Sequence, residues 1–192
     1  LGDSITYGEG ATNAQYHKVI GDRNNITVRN YGISATRITN GDNAFVTRYS
    51  SMSDDADIIT VFGGTNDYSN QVPLGTINDT TADTFYGALN ILCEGLIKKY
   101  LGKKIGFITP IHRYTSGDIT GKTHPITEYV DAVKNVCIKW SIPCLDLYSN
   151  GGFVPEVEEF KSAYTYNGDG LHPNAEGHKL IADKIEAWLK SL

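Results

Sequence analysis

Residues from opposite ends of this 192-residue chain have the types needed to build a nucleophile. Ser4 lies in "LGDSITYG" (1–8), and a serine hydroxyl attacks a carbonyl at neutral pH only when a base sits against it. The best-placed base is in "YNGDGLHPNAEGH" (166–178), where Asp169 and His172 stand three apart in a Gly-rich loop. That spacing lets the carboxylate hold Nδ1 of the imidazole and leaves Nε2 to take a serine proton. An attacked carbonyl also needs donors for the oxygen that becomes negative. The candidates are the N–H of Ser4, the N–H of Gly32 after "VRNY", and the side-chain amide of Asn66 in "GGTND" (63–67). Tyr7, Tyr68, His112 and Tyr114 in neighbouring loops are candidate substrate contacts, with Tyr164 and Tyr166 as further loop aromatics.

Other constellations fit less well. His17 and His178 fall in helical patterns and are expected on the surface; His112 and His124 flank the long segment "RYTSGDITGKT" (113–123) and border the loops. "GDITGKT" misses the phosphate-binding loop pattern, because Gly117 and Gly121 are one residue too close. The G-x-S-x-G elbow fails at Thr36. Asp67 reads as a structural hydrogen-bonding residue. Cys93, Cys137 and Cys144 form no metal-ligand spacing and read as reduced, buried thiols. The chemistry sketched for Ser4 calls for neither metal nor organic cofactor.

Positioning these residues requires an ordered set of elements. Apolar runs at 26–32, 57–64, 104–110 and 142–148 are short, rich in Ile, Val and Phe, and stop at Gly, Pro or polar clusters, as buried parallel strands do. Leu1 reads as the end of a further strand that begins before it. Helical patterns alternate with the strands. Residues 81–101 place Phe85, Leu89, Leu92 and Leu96 on one stripe, and 125–140 do the same with Tyr129, Val133, Val136 and Trp140. A last helix is expected from Pro173, with Leu180, Ile181, Ile185 and Leu189 inward. Such alternation implies one α/β domain over 1–192, a three-layer α/β/α sandwich around a flavodoxin-like parallel sheet of about five strands. Ligands of such sheets sit outside the carboxyl ends of the strands. Ser4, Gly32, Asn66 and His172 all follow strand ends and are therefore expected to meet.

A formal charge of -5 leaves no basic face for nucleic acid, and no apolar run approaches a membrane span. The partner expected from the serine chemistry and from the family resemblance given next is a small-molecule or glycan ester.

Four blocks, "GDS" (2–4), Gly32, "GTND" (64–67) and "DGLHP" (169–173), occur in an order that resembles the SGNH hydrolases, or GDSL esterase/lipase family. Ile5 replaces the leucine of the family's name, an apolar swap. The resemblance implies a serine esterase with Ser4 as nucleophile, His172 as base and Asp169 as its orienting acid. Ser4, Gly32 and Asn66 would form the oxyanion hole. It leaves the acyl group open between a short one, such as O-acetyl on a carbohydrate, and the longer chain of a lysophospholipase or thioesterase. A non-catalytic carbohydrate-binding domain on the same fold is the alternative from another class, and its mark would be a lost site residue.

Overall fold

The computed structural model describes residues 1–118 and 121–192; Ile119 and Thr120, within the long segment after the third apolar run, lie outside the described residues. Three parallel strands, β1 (Ile58–Phe62), β2 (Lys104–Ile108) and β3 (Cys144–Leu145), lie side by side in that order. Gly2 extends the sheet with parallel bridges to Phe62 on one side and Gly32 on the other. The backbone rows therefore run Gly32, Gly2, β1, β2, β3, five in all. Helices fill the connections: α1 (Ser4–Tyr7), α2 (Tyr16–Asn24), α3 (Phe45–Arg48), α4 (Thr65–Ser69), α5 (Phe85–Lys99), α6 (Ile126–Trp140), α7 (Leu147–Asn150), α8 (Glu158–Tyr164) and α9 (Ala175–Leu189).

Strand periodicity divides the core into two layers. Ile59 and Val61 of β1 and Ile105 and Phe107 of β2 pack with Phe85, Leu89, Leu92 and Leu96 of α5 and Tyr129, Val133 and Val136 of α6. Phe62 and Ile108 face the other way, onto Tyr16 and Ile20 of α2 and Ile181 and Ile185 of α9. Gly106 in β2 makes room for Trp188, since a Cβ there would lie 2.4 Å from the indole. The helix stripes expected at 81–101 and 125–140 are thus the buried faces, except that Trp140 is only half-buried. Caps set the ends. Thr84 Oγ1 accepts from Gly87 N–H, and Ser141 closes α6 in the left-handed region at φ 54°.

Three expected elements differ. The 26–32 stretch forms no ladder; its one β-contact is Gly32 to Gly2, and Ile26 and Val28 are exposed. Backbone pairing there is confined to Gly2, whose N–H donates to Tyr31 O at 3.2 Å and whose carbonyl accepts from Ile33 N–H at 3.1 Å. A groove of about 540 Å³ runs instead between this stretch and Asp57–Thr60, walled by Leu1, Ile26, Val28, Ile58 and Tyr100, at the amino-terminal ends of the strands. The 142–148 run pairs only at Cys144 and Leu145, because Asp146 caps a turn by accepting from Ser149 N–H and starts α7. Helix α9 begins at Ala175 and not Pro173. Asn174 Oδ1 accepts from the N–H groups of Glu176 and Gly177, while Pro173 pairs with Thr165. None of the helices among the described residues is long and apolar enough to cross a membrane.

Candidate active site

Ser4 opens α1 at the carboxyl end of the Leu1–Gly2 row. Asp3 caps the helix, its Oδ1 accepting from Ile5 N–H at 3.0 Å, and Gly8 ends it at φ 97°. Gly2 is required by contact more than by backbone conformation, for a Cβ there would lie 1.9 Å from Thr6 Oγ1 and 3.0 Å from the Phe62 carbonyl. The result is a nucleophile candidate held rigidly, with Ser4 6% exposed.

Asp169 folds the loop that carries His172. Its Oδ1 accepts from Leu171 N–H and His172 N–H at 2.8 and 2.9 Å, and its Oδ2 lies 2.7 Å from His172 Nδ1. Burial pushes the Asp169 carboxyl up, but the His172 side chain and these two amides outweigh it and hold it below the usual carboxylate range. A carboxylate only accepts, so Nδ1 carries the proton and Nε2 is left to accept. His172 Nε2 is 3.0 Å from Ser4 Oγ. The structure thus brings Ser4, 168 residues away in the chain, against the imidazole and acid that the sequence pairs by their spacing.

The donor side differs in part from expectation. Asn66 projects from α4 and gives one Nδ2 hydrogen to the Thr36 carbonyl at 2.9 Å, which leaves its second hydrogen for another acceptor. Gly32 does not present a free donor: its N–H goes to Asn30 Oδ1 at 2.7 Å. What Gly32 supplies is close approach, since a Cβ there would lie 2.1 Å from Tyr7 N. Three residues on, Ala35 sits at φ 63°, a conformation unfavourable for a residue with a side chain, and its N–H makes no hydrogen bond among the described residues. Nothing in "ISATR" signals that backbone, and only the folded chain reveals it.

Buried polar groups fix these loops. Asp67 is fully buried and accepts from Ile38 N–H, Thr39 N–H and Thr39 Oγ1 at 2.7–3.0 Å, in keeping with the structural role expected of it. Arg48 donates to the carbonyls of Gly2, Tyr31 and Asn43 and to Thr36 Oγ1. It thereby ties the Ser4 row to the segment that carries Ala35. Asp3 is pushed up to about 7 by burial, against the opposing hydrogen bond from Ile5 N–H.

The candidate substrate contacts divide. Tyr7 and Tyr114 are exposed, at 54% and 42%, and Tyr114 N–H donates to Gly170 O beside Asp169 at 2.8 Å. Tyr68 is buried, edge-on to Tyr129 with Arg113 and Lys122 over its ring, so it offers no stacking surface. His112 stacks on Tyr148 at 3.9 Å, with Nδ1 2.7 Å from Glu156. Tyr166 is exposed against Gly10, and Tyr164 stacks on Phe160. Of the rival histidines, His124 pairs with Glu128 on α6. His178 is fully buried instead of on the surface, because its Nδ1 accepts from Tyr16 N–H where α9 packs on α2. Cys93 and Cys137 are buried and Cys144 half-buried, all unpaired.

Comparison with known proteins shows the family and the fold of the chain. No curated protein compared with the chain matches it. Among solved structures, a Lactobacillus plantarum protein is 34% identical with a TM-score of 0.91, over 100% of this chain and 94% of its own. A protein described as a possible lipase from Chitinophaga pinensis is 23% identical (TM-score 0.77, 100% and 96% covered). A carbohydrate acetylesterase family member from Sinorhizobium meliloti is 15% identical (TM-score 0.67, 100% and 95% covered), a likeness of fold. The sequence profile of the GDSL-like Lipase/Acylhydrolase family matches residues 1–180, and the chain belongs to that family.

Proposed function

We propose that this protein hydrolyses carboxylic esters through an acyl-enzyme on Ser4. The observation that carries the proposal is the hydrogen-bonded chain from Ser4 Oγ through His172 to Asp169, at 3.0 and 2.7 Å. His172 Nε2 takes the hydroxyl proton as Oγ bonds to the ester carbonyl carbon, and the carbonyl π electrons move onto oxygen. Ser4 N–H and the free Asn66 Nδ2 hydrogen are the donors for that oxyanion. Ala35 N–H takes the third place, which the hydrogen bond to Asn30 denies to Gly32. Collapse breaks the bond to the leaving oxygen, which receives the proton from His172. Water then attacks the Ser4 ester, gives its proton to His172, and the acid departs as Oγ regains a proton.

A short acyl group, such as O-acetyl on a carbohydrate, suits the surroundings best. The 540 Å³ groove opens at the far ends of the strands, and none of its walls is Ser4, Asn66 or His172, so it is separate from the nucleophile. Exposed Tyr7 and Tyr114 give a sugar rings to stack against. The acetylesterase name carried by one relative of the same fold points the same way.

p-Nitrophenyl esters of increasing chain length test both levels. Expected are turnover highest on acetate and a fall of about 10⁴-fold or more in Ser4→Ala. Equal rates in wild type and Ser4→Ala would refute the enzyme, and turnover rising towards decanoate would replace the short acyl group with a lipid or thioester chain.

A further inference from the structure

Arg113 is the most heavily engaged side chain near the site that the mechanism does not use. Its side chain is 7% exposed, on the segment after β2. Nε donates to Asp118 Oδ2 at 3.0 Å, and Nη2 reaches Thr115 Oγ1 at 3.5 Å. Nη1 donates to Thr65 O, Thr65 Oγ1 and Ser69 Oγ at 3.2, 2.9 and 2.6 Å. Thr65 and Ser69 are the first and last residues of α4, so the guanidinium grips both ends of the single turn that carries Asn66. The Tyr68 ring lies under the same guanidinium, 5.3 Å from centroid to Cζ.

The next residue on the chain reaches the other half of the site. Tyr114 N–H donates to Gly170 O at 2.8 Å, and Gly170 N–H donates to Thr165 Oγ1. The contact is backbone on backbone, because a Cβ on Gly170 would lie 2.1 Å from the Tyr114 carbonyl. Two adjacent residues therefore hold α4 by a side chain and the Asp169–His172 loop by the main chain.

From this we infer that Arg113 is a positioning residue, a brace that fixes the Asn66 amide relative to His172 and so sets transition-state stabilisation without touching substrate. The inference rests on the esterase chemistry proposed for Ser4. Lysine keeps the charge but lacks the planar fork needed to reach Asp118 and both ends of α4 together. A donor displaced by an ångström loses much of its effect on the reaction.

The test is a double-mutant cycle on p-nitrophenyl acetate, with rates normalised to sites titrated by a p-nitrophenyl phosphonate. Arg113→Lys is expected to lower kcat about 10- to 100-fold with KM little changed in the wild-type background, but less than about twofold when Asn66 is already alanine. Ser69→Ala, which removes one acceptor and perturbs the fold less, is expected to lower kcat about threefold, again only when Asn66 is present. Equal losses in both backgrounds, or a change confined to KM, would overturn the role. Hydrogen exchange gives an arm independent of activity. In Arg113→Lys the amides of Tyr68, Tyr114 and His172 are expected to exchange faster together, and acceleration in one half alone, or in neither, would also overturn it. Loss of wild-type esterase activity with intact coupled exchange would instead remove the Ser4 chemistry and leave the brace standing.

Discussion

The two halves of the site are built on different principles. The acid–base half is local: within residues 165–174, Asp169 takes hydrogen bonds from Leu171, His172 and the His172 ring, and Tyr166 N–H donates to His172 O. The donor half is assembled across the chain. Asn66 leans on Thr36, Asp67 on Ile38 and Thr39, and Arg48 joins Gly2, Tyr31, Asn43 and Thr36. A loop that carries its own hydrogen-bond partners keeps its shape wherever the fold places it. The donor side has a shape only after the sheet has formed.

Substitutions that break each half should differ in size. Asp169→Asn leaves the loop near its native shape but offers Nδ1 an amide instead of a carboxylate, which disfavours the tautomer that frees Nε2. Turnover is expected to fall about 10⁴-fold with KM nearly unchanged, read from steady-state kinetics on p-nitrophenyl acetate. An unaltered rate would remove Asp169 from the mechanism. Asn66→Ala removes one donor and is expected to lower kcat about 100- to 1000-fold, a smaller loss because Ser4 N–H remains. If Asn66→Ala proved the more damaging of the two, the local half would not be the stronger determinant.

The same division explains what could be read in advance. Asp169 and His172 stand three residues apart, and their geometry follows from that spacing. The buried stripes of α5 and α6 follow from helical periodicity, and β1 and β2 from their apolar runs. The donor side was legible only as residue types. Asn66 keeps a hydrogen for an acceptor as expected, but Gly32 gives its N–H to Asn30, a contact between side chain and backbone that no spacing encodes. Ala35 at positive φ carries no glycine to mark it. Arg48 ends the one-turn helix α3 and Arg113 stands in an irregular segment, and their partners lie up to 48 residues away. The 26–32 run has strand composition yet no strand, because pairing depends on a neighbour and not on composition.

The smallest expected effect concerns stability below the nucleophile. The fold raises Asp3 from an ordinary 3.8 to about 7, so the folded chain keeps a proton that the unfolded chain loses near pH 4. The unfolded state then binds fewer protons across that window, and stability is full below pH 4 and declines as pH rises towards 7. Asp3→Asn retains an acceptor for Ile5 N–H and removes the titration. Denaturant midpoints are expected to show the variant gaining on wild type between pH 4 and 7 and holding level above it. Parallel curves for the two proteins would show that Asp3 does not titrate in that range.

Covalent labelling tests the central claim most directly. A p-nitrophenyl phosphonate captures an activated serine as a stable phosphonyl ester with release of p-nitrophenol, and mass spectrometry locates the adduct. One phosphonyl group per chain on Ser4 is expected, with ester hydrolysis abolished in step and labelling lost in His172→Ala. An adduct on another residue, or hydrolysis that persists in a chain fully labelled at Ser4, would contradict the account.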